Sequence, residues 1–223
     1  MTPQAAATPQ TQAGKEAPWW EIAIIIALYL VIHFINSGLD QIYVLLVIIY
    51  LIIEGILRHH TWADNGFGLR SILPGLNKTW GWCLLVAFGT QAAFLLGGRF
   101  FLPEVFEYVI KRTPIDLTSL TPALFIGLAI ATFEEEFLFR AVFQNRLGKW
   151  VPPAFAIGAI SLVFAIAHYS SGSPLVVGVH LISVFVDSVI FGIIFQQSRN
   201  VFVSWIPHYV ADIFATLMIL ALR

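Results

Sequence analysis

The sequence predicts an all-α polytopic membrane protein, with about seven or eight transmembrane helices around a polar intramembrane cavity. Three observations carry that class. The first is composition: 58% of the 223 residues are hydrophobic and 11% charged, with a mean hydropathy of +0.83, more apolar surface than one soluble core can hide. The second is length, because several apolar runs are long enough to cross the ~30 Å hydrocarbon core of a bilayer. The third is the placing of charge. Glu134, Glu135, Glu136 and Arg140 stand within seven residues, in a stretch from Leu120 to Trp150 that is otherwise as apolar as a membrane span. An ionisable group at bilayer depth costs roughly 2.5–3.5 kcal/mol on insertion scales, so this stretch reads as a functional site.

Charge and cysteine count remove other classes. A net charge of −1 without clustered Lys and Arg gives no nucleic-acid footprint. Cys83 is the one cysteine, which excludes an intramolecular disulfide and a cysteine metal cage.

Taken in order, residues 1–17 are rich in Ala, Thr, Gln and Pro and read as a disordered tail, without the basic start and apolar run of a signal peptide. Residues 18–118 are expected to hold the N-terminal transmembrane helices, a loop and an interfacial helix, and 119–223 the catalytic helical core. The first span runs from Glu21 to Ile35 behind Trp19 and Trp20, which suit the interfacial aromatic belt. Asn36 to Asp40 is a turn, and Ile42 to Leu57 is the second span. Arg58 to Lys78, broken by Gly66, Gly68, Pro74 and Gly75, reads as an extramembrane loop before a third span from Trp80 to Leu96. Gly97 to Thr118 mixes charge with Phe, Val and Ile at near-helical spacing and reads as an amphipathic helix lying in the interface.

The acidic span follows, and Pro152-Pro153 opens a fifth span ending near His168. After a turn at Ser170 to Pro174, Leu175 to Phe195 is the sixth span, and Val201 to Leu222, with Pro207 inside it, is the last. Lys15, the loop from Arg58 to Lys78, Arg146 with Lys149, and Arg199 fall on one side of a seven-span arrangement, which places that side and the N-terminus in the cytoplasm. The expected location is a bacterial cytoplasmic membrane.

On a helix, Glu136 and Arg140 share a face at i,i+4 with the acid N-terminal to the base, so Arg140 is expected to neutralise Glu136. Glu135 points elsewhere, with Phe139 four residues on, and a carboxylate so desolvated is suited to general acid or base work. Glu134 reads as a third wall of the cavity or an interhelical contact. His168 ends the fifth span, and His208 and Asp212 share a face of the last. Acids and imidazoles from three helices are sufficient to activate a water and hold an oxyanion.

The motifs Glu135-Glu136-x-x-x-Arg140, Phe164-x-x-x-His168 and His208-x-x-x-Asp212, in this order on successive apolar segments, resemble the CAAX-processing and bacteriocin-processing (CPBP, or Abi) intramembrane glutamic endopeptidases, relatives of the Ras-converting prenyl-protein protease. The resemblance covers roughly Leu120 to Asp212. It implies an intramembrane endopeptidase acting on a membrane-associated protein or peptide. In it Glu135 with His168 activates water, His208 helps form the oxyanion site, Asp212 shares that role, and Glu136 and Arg140 are supporting. The prenyl-protein proteases usually carry Asn at the position of Asp212. An acid donates no hydrogen bond unless protonated, which leaves it the alternatives of orienting His208 or holding an imidazolium.

Counting along the spans raises a difficulty, because His168 lies about 24 Å from the start of its span and His208 about 10 Å from its own. Either the fifth span starts later than Pro152 or the helices tilt into a deep cavity. Two further alternatives remain for function: a zinc-dependent protease, since two His and a carboxylate are also a zinc ligand set, and a non-proteolytic immunity or binding protein or transporter using the same cavity. No cofactor is expected on the first reading. His180 and Asp187, seven apart and so on one face of the sixth span, read as a structural pair, with contact to the site as the alternative, and His33, His59 and His60 as interfacial or solvated.

Overall fold

The computed structural model describes residues 17–112 and 120–223, all helix and connection with no strand among them. The expected disordered tail, save Ala17, and the stretch around Asp116 lie outside the described residues. The chain divides into two compact units, Met1–Asp64 and Asn65–Arg223.

In the first unit α1 (Trp19–Ile35) and α2 (Asp40–Arg58) form a hairpin around a short turn. Tyr43 Oη donates to Ile25 O at 2.6 Å, and Arg58 joins Glu21 at 2.7 Å and Glu54 at 3.2 Å. His33, expected to be interfacial or solvated, is a part-buried partner of Asp40 at 2.7 Å.

The second unit opens with α3 (Ile72–Leu84), which passes through a π-helical turn at Leu85–Gly89 into α4 (Thr90–Phe101). Here the structure corrects the expected loop and third span. Helix begins at Ile72, because Pro74 sits in the first turn, where its missing N–H costs no hydrogen bond. Gly75 is there for packing: a Cβ on it would lie 2.7 Å from Val203 Cγ2. Gly97 to Phe101 belongs to α4, so the amphipathic helix is the shorter α5 (Pro103–Arg112), burying Val105 and Phe106.

α6 (Pro122–Glu136) starts on a Thr121 cap and runs on through a π-helical segment, Phe137–Gln144, into a last short turn, α7 (Asn145–Leu147). α8 (Pro153–Ala167) and α9 (Pro174–Ser198) both open on proline at the first helical position, and α10 (Val201–Leu222) on an Asn200 cap that accepts from Phe202 N. Asp40–Arg58, Leu69–Phe101, Pro174–Ser198 and Val201–Leu222 are long and apolar enough to cross a membrane, and α1 and α8 are shorter apolar helices. With the charged helix over 122–147 and the amphipathic α5, the described residues form eight helical bodies of a polytopic integral membrane protein.

Packing converges on α9 and α10. α9 lies between α8 and α3, and α10 against α6, the turn at 85–89, α9 and α4. Val86, Ile190, Phe191, Ile194 and Val203 form the apolar core where these meet. Gly192 lets Gln144 reach across to donate to its carbonyl at 2.9 Å, since a Cβ there would stand 2.9 Å from Gln144 Oε1. At one end the links are stitched together: Arg146 bonds Asn65, Arg199 bonds Asn145, and Lys78 bonds Gln197 O. The basic residues of the second unit that the sequence grouped on one side therefore gather at one end of it.

Candidate active site

α6 delivers its last two residues to different surroundings. Glu136 is fully buried against Arg140, with Glu136 Oε2 3.4 Å from Arg140 Nε, and Arg140 in turn donates to Ser188 of α9 at 2.8 Å. The ion pair expected from i,i+4 spacing is present, although the backbone widens into π-helix one residue after Glu136. Such segments recur where a helix must aim functional side chains. Glu135, one residue earlier, has a side chain 34% exposed that opens onto a cavity of about 470 Å³.

Two imidazoles face Glu135. His168 Nε2 lies 3.8 Å from Glu135 Oε1, and His208 Nε2 lies 3.6 Å from Glu135 Oε2. Each ring is fixed from behind. His168 Nδ1 is 2.9 Å from Phe164 O, and a carbonyl only accepts, so Nδ1 carries a proton and, in the neutral ring, the lone pair is on Nε2, towards Glu135. His208 Nδ1 donates to Glu136 Oε1 at 3.0 Å, and the His208 ring stacks on Phe191 at 4.3 Å. Both gaps to Glu135 exceed a direct hydrogen bond, yet one water can bond to both sides of either.

Asp212, one turn after His208, lines the same cavity, so the structure brings Glu135, His168, His208 and Asp212 round one space. Glu134 is not among the residues that line it. α8 runs as one continuous helix from Pro153 to Ala167. His168 caps the helix, and its ring folds back one turn to the Phe164 carbonyl, which recovers part of the expected offset from His208.

Of the two readings of His180 and Asp187, a structural pair or contact with the site, the second fits the structure better. Both line the cavity, as does Gln91 of α4, whose Nε2 donates to Asp187 Oδ2 at 2.8 Å. The signal available in sequence was an acid in the middle of an apolar span, which alone does not say where the side chain points. Ser188, the partner of Arg140, carried no signal at all. Among the described residues no group of three or more His, Cys, Asp or Glu is arranged to hold a metal ion.

Residues 117–214 match the family model of the type II CAAX prenyl endopeptidase Rce1-like proteins. Over this stretch the chain is similar to the Rce1-like family. The Rce1-like region contains Glu135, Glu136, Arg140, His168, His208 and Asp212, and it lies wholly within the second compact unit. A stretch of 103 residues, 46% of the chain, is 31% identical to YpbD, an uncharacterized protein of Bacillus subtilis, and covers 48% of it. The chain thus spans about half the length of the curated relative it matches. No solved structure matches the chain. Gln91 lies outside the Rce1-like region, so one wall of the cavity is built from sequence the family model does not cover.

Proposed function

We propose that the protein is a CAAX-protease-like intramembrane endopeptidase of the glutamic type, cleaving a peptide bond in a membrane-associated protein or peptide. A single observation carries the reading: one carboxylate, Glu135, opens onto a cavity between the Nε2 atoms of two imidazoles whose other nitrogens are already committed. The Rce1-like match supports the same activity class.

In the proposed reaction a water bonds to Glu135 and to the lone pair of His168 Nε2. One of these bases takes a proton as the water oxygen attacks the scissile carbonyl carbon, so hydroxide is delivered without being free in solution. The oxyanion that forms is met by His208. In the imidazolium form His208 donates from Nε2 while Nδ1 stays on Glu136, and Glu136 and Asp212 compensate its charge. Asp212 then acts by holding the imidazolium, a role open to an acceptor. The proton taken from water passes to the leaving amine, and the C–N bond breaks.

Glu136 and Arg140 position the site rather than react. Arg140 neutralises Glu136 and ties it to Ser188, and the remaining Glu136 oxygen fixes the His208 tautomer. The zinc-dependent reading is separated by experiment. Membranes of cells carrying the wild-type protein or Glu135→Gln are compared for one precursor that accumulates in the variant, and the cleavage is repeated with purified protein after chelation. The glutamic reading expects the precursor to accumulate and chelation to leave the rate within about twofold. Loss of activity on chelation with recovery on added zinc sinks the glutamic type, and no difference between the two membranes sinks the protease.

A further inference from the structure

Asp187 is a further acid inside the apolar interior of the second unit, midway along the 25-residue α9. An ionisable group at such a place is retained for a reason. Its neighbours supply only part of one. Gln91 Nε2 donates to Asp187 Oδ2 at 2.8 Å, and the Thr90 hydroxyl, 3.2 Å from Val86 O, also stands against the Asp187 carboxyl group. Asp187 Oδ1 is buried with no hydrogen-bond partner. A carboxyl group turns easily about its last side-chain bond, so a modest turn that keeps Gln91 on one oxygen can bring the other towards the cavity that Asp187 lines.

The position relative to the catalytic end is informative. Phe191, one helical turn beyond Asp187, is the ring on which His208 stacks. One turn is about 6 Å of rise, and extended chain advances about 3.3 Å per residue. A peptide lying along this face of α9 thus reaches Asp187 about two residues from a bond held beside His208. The walls between are apolar, formed by Phe94, Leu128, Val184 and Ile219. A metal ion is disfavoured at Asp187 itself, because the amide beside it presents N–H rather than oxygen.

We propose that Asp187, held by Gln91, docks the substrate: it accepts a hydrogen bond from a backbone N–H of an extended peptide segment lying in the cavity about two residues from the cleaved bond. The proposal rests on the endopeptidase reading for its purpose but is measured by binding, so the two can fail separately.

The test uses the full chain in detergent, with Glu135→Gln to prevent turnover. The probe is an acetylated and amidated decapeptide of alternating valine and alanine with a fluorescent label, together with a set methylated at one backbone nitrogen each. Binding is expected, weakened about tenfold or more by Asp187→Leu, as for one buried hydrogen bond whose donor is left unpaired. Asp187→Asn keeps an acceptor oxygen and is expected to recover most of the loss. One N-methyl position should cost a similar factor with Asp187 present and nothing further in Asp187→Leu. The proposal is overturned by absence of peptide binding, by equal binding to Asp187→Leu, by an Asn variant as weak as the Leu variant, or by N-methyl losses that are the same with and without the acid. Binding without cleavage by the wild-type protein sinks the protease reading alone, and cleavage with a KM indifferent to Asp187 sinks the docking role alone.

Discussion

The two compact units each contain a cluster of Glu, Arg and His in apolar helices, and they resolve it differently. In the first unit Arg58, the last residue of α2, reaches Glu21 and Glu54 at 2.7 and 3.2 Å, with His60 3.8 Å from Glu54. One cation there answers two acids at a helix end, and Glu54 is buried in the process. In the second unit Arg140 pairs with Glu136, and Glu135 is turned by one residue of helix towards a cavity and two imidazoles. Residue types alone do not separate the clusters. The difference is that the second unit keeps a carboxylate open to a space where a substrate and a water can enter.

The largest expected effect breaks that contrast at its centre. Glu135→Gln removes the proposed water-activating carboxylate while keeping shape, and is expected to lower cleavage by about 10²–10⁴-fold, the range for a lost general base. Unfolding temperature in detergent should change little, because the side chain is one-third exposed. Glu54→Gln is the counterpart in the first unit. Its expected outcome is cleavage within about twofold of wild type and a stability loss of about 1 kcal/mol, since Arg58 keeps Glu21. A Glu54 variant that lost cleavage as completely as the Glu135 variant would end the distinction between the units.

The next effect is on stability. Arg140→Met leaves Glu136 buried without its cation, and removing one partner of a buried pair costs about 3–5 kcal/mol. Glu136→Gln also frees His208 Nδ1 from its carboxylate, so cleavage should fall even where the fold is retained. Thermal unfolding and cleavage measured on the same preparations separate these. A variant of Glu136 with wild-type stability and wild-type rate would remove the positioning role.

Much of this was legible in the sequence because helices repeat. The pair Glu136–Arg140 and the shared face of His208 and Asp212 follow from i,i+4 geometry, and the apolar runs locate α1, α2, α8, α9 and α10 to within a few residues. What was not legible depends on contacts between helices. Pro74 and Gly75 suggest a loop, yet one sits in a first turn and the other where Val203 presses close. The π-helical segments have no sequence mark. Asp187 could be placed on a face of α9, but which neighbour that face meets is decided by α4 bringing Gln91 to it. The counting argument that set His168 too far from His208 treated side chains as level with their backbone, whereas His168 folds back to Phe164.

The smallest expected effect sharpens the contrast at the one position that departs from the prenyl-protein protease pattern. Asp212 lines the cavity one turn from His208, and an ionised acid there accepts hydrogen bonds but donates none. If it holds the imidazolium, Asp212→Asn removes a compensating charge but supplies an N–H that can itself meet the oxyanion. The two changes oppose each other, so cleavage is expected to stay within about threefold of wild type, measured as kcat. Asp212→Leu supplies neither and should lose about tenfold or more. An Asn variant as damaged as the Leu variant would mean that the negative charge itself is needed to hold the imidazolium and that an N–H in its place does not meet the oxyanion.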